Sequence, residues 1–100
     1  MEITDYQKII YNTFLKVYAK VQNRGYKKRL DFDSIDDKTK NILQKLEQFF
    51  NEHKEIQVED FFRAGYAVTH RQYLPLEFFI TFKAIACYKK VAGRLNRTVV

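Results

Sequence analysis

At 100 residues with 46% hydrophobic and 16% aromatic side chains, the chain has enough apolar mass for one core, which argues against a disordered chain. Three Gly and one Pro are too few turn residues for a many-stranded β-fold, leaving an all-α, single-domain bundle of about four helices over residues 1–100 as the expected architecture. The net charge of +6 excludes an acidic protein and directs attention to polyanionic or acidic partners.

The first helix is predicted from about Asp5 to Arg24. Thr4 and Gln7 have capping-box spacing, and Gly25 stands where a left-handed stop belongs. Tyr6, Ile10, Phe14, Val17 and Val21 recur at the 3.6 period as its buried stripe, with Lys8, Asn12, Lys16 and Asn23 on the water side. A connector from Gly25 to Asp33 carries the run Lys27, Lys28, Arg29. The second helix begins after Asp33 or Ser34, either of which can cap it, and ends near His53, with Ile35, Ile42, Leu43, Leu46, Phe49, Phe50 and His53 on one face. Val58, Phe61, Phe62 and Tyr66 predict a short third helix reaching Thr69, weakened at Gly65 by roughly 1 kcal/mol relative to Ala. Pro75 suits the first turn of a fourth helix, expected to run to about Leu95.

The single cysteine, Cys87, excludes an intramolecular disulfide and fits a reducing compartment; among Ala84, Ala86 and Val91 it reads as a small buried hydrophobe. No run of about 18 apolar residues is present, so no membrane span is expected, and the acids Glu2 and Asp5 are unlike a signal peptide. A cytoplasmic location follows as the expectation. Residues of AT-rich codons (Phe, Tyr, Met, Ile, Asn, Lys) total 42 against 16 for Gly, Ala, Arg and Pro, which fits an AT-rich bacterial or phage source and also an AT-rich eukaryotic genome.

Charge is segregated along the chain. Residues 1–30 carry seven Lys and Arg against two acids, residues 31–60 four against nine, and residues 61–100 seven against one. On a continuous last helix, Lys83, Lys90 and Arg94 fall within a strip about 40° wide, extended by Arg97, giving a row of cations on a rigid support. Together with Lys27, Lys28 and Arg29 beside Tyr26, these are the candidate nucleic-acid-binding residues, neutralising phosphates, with tyrosines interleaved as single-strand binding requires. The expected function is that of a small non-enzymatic basic accessory protein binding RNA or DNA. The alternative is a protein–protein module, such as a phage-encoded regulator or inhibitor docking on an acidic or nucleic-acid-binding protein through Phe32, Phe79 or Tyr73 as anchors. The broad apolar coverage of the last helix also fits a homodimer.

Other chemistries find little support. Asp31, Asp33, Asp36 and Asp37 break the calcium-loop pattern: Ile35 takes a ligand position, the turn glycine is absent, and Ile42 replaces the closing Glu. No zinc spacing, phosphate-cradling glycine loop or nucleophile elbow occurs, so neither metal nor cofactor is expected. His53, on an apolar face, reads as a residue at the edge of the core. Arg63 and His70, with six residues between them, resemble the motif of HEPN-type ribonucleases, small helical bundles acting as dimers. That resemblance implies a remote alternative in which His70 assists an attacking 2′-hydroxyl and Arg63 stabilises the phosphate. Ala64 stands where the family usually has a polar residue.

Overall fold

A computed structural model describes residues 2–23 and 32–82. Among these residues the fold is all-α: α1 (Asp5–Val21), a 3-10 turn (Phe32–Ser34), α2 (Asp37–Glu52), α3 (Val58–Thr69) and α4 (Phe78–Phe82), with no strand. None of these helices is long and apolar enough to cross a membrane.

The capping box at α1 forms as the spacing predicts. The Thr4 hydroxyl accepts from the Gln7 backbone N–H at 3.1 Å, and the Gln7 side-chain oxygen accepts from the Thr4 N–H at 3.2 Å. Glu47 of α2 completes it across the helix interface, accepting from the Thr4 hydroxyl and the Gln7 amide, each at 2.9 Å. Gln7 is thereby buried with its donor and acceptor both used, and α2 is held antiparallel beside the start of α1. The other end of α1 differs from expectation. The helix stops at Val21 with Gln22 as its cap, and the left-handed residue is Asn23 (φ 58°); Gly25 lies outside the described residues. Asn is a residue that tolerates that conformation, so the left-handed stop comes two residues before the glycine.

The second helix also starts later than expected, at Asp37. Asp33, Ser34 and Asp36 are equally able caps by chemistry, and Asp36 takes the role, accepting the Thr39 N–H at 2.8 Å. Phe32 docks under the Lys8 ammonium at 5.6 Å, and the chain turns once in 3-10 geometry before the helix begins. The Thr39 side-chain and backbone hydrogen bonds lower the Asp36 pKa. At the far end His53 caps α2; its ring lies 4.9 Å from that of Phe49 and its Nδ1 is 3.6 Å from Glu55, placing it at the edge of the core.

Helix α3 has the predicted bounds although its N-cap, Gln57, makes no side-chain cap bond. Burial holds it instead. Phe61 and Phe62 are fully buried, each such side chain contributing about 1.5–3 kcal/mol. The core is dominated by aromatic rings packed mostly edge to face or tilted: Phe14, Phe49, Phe50, Phe61, Phe62, Phe79 and Phe82. Phe79 is fully buried at its centre, 4.8 Å from Phe62 and 5.8 Å from Phe14, so it is not the exposed anchor that the sequence reading takes it for.

Gly65 acquires a purpose that helix propensity hides. A Cβ there would meet Phe79 Cζ at 3.0 Å and Cε1 closer still, so the missing side chain is the seat of the Phe79 ring. The fourth helix begins at Phe78, three residues after Pro75, through successive i to i+3 bonds from Phe78, Phe79 and Ile80 back to Pro75, Leu76 and Glu77. Its predicted continuation lies outside the described residues, and with it Cys87 and the cationic strip.

Candidate functional site

Every residue of the sequence-derived phosphate-binding set, Lys27, Lys28, Arg29, Lys83, Lys90, Arg94 and Arg97, lies outside the described residues. Nine of the 18 Lys and Arg fall in residues 24–31 and 83–100, with Asp31 as the single acid there; the described residues hold nine cations against eleven acids. The positive charge of the chain therefore belongs mainly to those two segments, and the described helices define the surface from which they depart.

Acidic side chains stand near the start of α1 and in the turn from α2 to α3. Near the start of α1 lie Glu2 and Asp5, and Glu47 is brought there by α2. Burial and the Glu47 carboxylate raise the Tyr6 pKa at this end. The turn from α2 to α3 carries Glu52, Glu55, Glu59 and Asp60. Asp36 acts midway, where burial and its charge raise the Tyr11 pKa.

The far end is different. Helix α3 runs parallel to α1: the Phe14 and Phe62 rings meet at 5.4 Å, those of Tyr18 and Tyr73 at 5.8 Å, and the Gln22 side-chain amide donates to the Gln72 carbonyl. The C-terminal ends of both helices thus form one pole of the fold. Neither stretch that builds it, residues 6–23 or residues 61–76, contains an acid. Its cations are Lys16 and Lys20 on the outer side of α1 and Arg71 just beyond α3, all exposed. Among the described residues neither Lys16, Lys20 nor Arg71 pairs with a carboxylate. Lys20, in the last turn of α1, also meets the negative end of the helix dipole, so part of its placement serves the helix itself. The next acid in sequence, Glu77, is engaged by Lys38 at 3.1 Å.

Three tyrosines gather at this pole. Tyr18 is half-buried, Tyr66 buried and Tyr73 61% exposed. The Tyr66 hydroxyl is enclosed without a completed hydrogen bond among the described residues. Burial pushes its pKa up to about 12; the Leu74 backbone N–H opposes that shift, and the Tyr18 and Tyr73 hydroxyls add to it. Tyr66 therefore stays a neutral phenol throughout the physiological range.

The Arg63 and His70 positions fall at different places in α3, Arg63 within the helix and His70 at its C-cap. Helix α3 ends at Thr69 and His70 turns out of it with φ 54°, so the common helical face stops one residue short. Arg63 is engaged by Glu59, one turn earlier, at 3.8 Å. No group of three or more His, Cys, Asp or Glu side chains able to hold a metal occurs among the described residues.

The sequence reading placed Lys16 on the water side of α1 and named Tyr73 as exposed, but did not join either to Lys20 and Arg71. One signal was present, the long acid-free stretches. The contact between residues 18–22 and 72–73 was not, since it is made 50 residues apart in sequence. No family model, curated protein or solved structure matches the chain.

Proposed function

We propose that the chain is a small non-enzymatic accessory protein that binds nucleic acid through phosphate contacts. One observation supports it most: parts of the two basic sequence blocks meet in space. Residues 18–22 of the first block touch residues 72–73 of the third. Charge that is merely alternating along a sequence becomes a directional field when the fold groups it, and such a field orients a polyanion.

In this reading Lys27, Lys28, Arg29, Lys83, Lys90, Arg94 and Arg97 supply the larger share of the phosphate contacts, and Lys16, Lys20 and Arg71 extend them onto the helices. With about four phosphates neutralised, the logarithm of affinity falls with the logarithm of salt at a slope of roughly −3 to −4. Fluorescence polarisation of a labelled oligonucleotide across a salt series measures that slope. Absence of binding at low salt overturns the proposal.

A further inference from the structure

Tyr73 is the most exposed large apolar side chain among the described residues, 61% against 56% for Ile9 and 43% for Val68. An aromatic ring left in water forgoes hydrophobic stabilisation, yet this one is restrained on every side that the chain offers. The next residue, Leu74, is 1% exposed and Leu76 9%, so the backbone is anchored in the core directly after the ring. On the other side the Gln22 amide holds the Gln72 carbonyl, tying the loop to the end of α1. The Tyr18 ring meets Tyr73 at 84° and 5.8 Å, which fixes the ring without covering it. Tyr73 is thus a stiff platform rather than a floating side chain.

The surroundings state what would settle on it. Arg71 is exposed two residues away, and no acid occurs from residue 61 to 76 or from 6 to 23. A preset ring beside a cation, in a stretch of chain that carries no acid, matches a nucleotide unit, with a π-face to stack and a phosphate to neutralise. In a duplex the base faces are already occupied by their neighbours, so only an unpaired base can use the ring. Resting on the nucleic-acid reading above, we propose that Tyr73 is a stacking platform for an unpaired base, with Arg71 on an adjoining phosphate, and that the ligand class is single-stranded nucleic acid.

The test uses the full chain with two fluorescent probes at low salt, a single-stranded oligothymidine of about 12 nucleotides and a duplex of the same length. The wild type is expected to bind the single strand at least about tenfold more tightly than the duplex. Tyr73→Ala should weaken single-strand binding by about 5- to 100-fold with an unchanged salt slope, and Tyr73→Phe, which keeps the ring, should bind within about twofold of wild type. Arg71→Ala should instead reduce the steepness of the slope by about 0.7. Circular dichroism of each variant verifies that the helices are retained, as the exposure of both side chains leads one to expect. If neither probe binds, the nucleic-acid reading falls and this inference with it. If the single strand binds with equal affinity to wild type and Tyr73→Ala, or if Tyr73→Ala weakens the duplex as much as the single strand, the stacking platform alone is overturned and phosphate binding stands.

Discussion

Replacing Gly65 by Ala sets two effects of opposite sign against each other. Inside a helix the change gains about 1 kcal/mol in backbone propensity. In this fold the added methyl runs into the Phe79 ring, with Cζ at 3.0 Å and Cδ1 at 3.3 Å from the new Cβ. The ring has no room to withdraw, being fully buried with Phe62 at 4.8 Å, Phe78 at 5.3 Å and Phe14 and Phe61 at 5.8 Å. Overpacking of a closed core costs about 1–3 kcal/mol, and the rigid enclosure places this site in the upper part of that range. The net result is a destabilisation of about 1–2 kcal/mol, a fall in Tm of roughly 5–15 °C for a domain of this size. Thermal unfolding followed by circular dichroism reads it, with Ala67→Gly at the exposed face of α3 as the propensity control, expected to cost about 1 kcal/mol. The Phe79→Leu background should remove most of the Gly65→Ala penalty, because the two sites share one volume. An unchanged or raised Tm in Gly65→Ala would refute the close seating of Phe79 on α3.

Two further outcomes follow from the polar contacts. Glu47→Ala removes the acceptor of the buried Gln7 amide and should cost about 1–3 kcal/mol in urea denaturation; a loss below about 0.5 kcal/mol would show that the bridge between α1 and α2 is unimportant. Asp36 has a lowered pKa, so its cap is fully formed above the unfolded value of 3.8 and is lost as the pH falls through the folded value. Asp36→Asn caps without titrating. On acidification from about pH 5 to about pH 2 its Tm should therefore fall less than that of the wild type; parallel falls would assign the acid sensitivity to other groups.

Much of the helical grammar was legible residue by residue. Thr4 and Gln7 announced the start of α1, and the 3.6 period of Ile10, Phe14 and Val17 announced its buried face. Val58, Phe61, Phe62 and Tyr66 mark α3 and its end at Thr69, because apolar periodicity is a local property of the chain. Errors arose where local chemistry offers several equivalent answers. Three residues before α2 can cap it, and both Asn23 and Gly25 can take the left-handed turn after α1, so the choice among them is made by packing. Phe79 reads as a surface anchor in sequence and is buried in the fold because the side of α4 that meets α3 depends on the notch at Gly65, which propensity registers as a weakness.

The sequence by itself determined the class of fold and the charge it carries: an apolar content sufficient for one core, helical spacing, few turn residues, and cations separated from acids in blocks. These are sums and periods, and a linear chain contains them in full. Only the tertiary structure decided which charges share a surface. Contacts such as Tyr18 with Tyr73, and Gln7 with Glu47, join residues 40 or more positions apart, and they are selected by the burial of the phenylalanine core rather than by any local preference. By setting α1, α2 and α3 against one another, that burial brings Tyr18 and Gln22 at the end of α1 against Tyr73 and Gln72, so that Lys20 and Arg71 come from distant parts of the sequence to the same region.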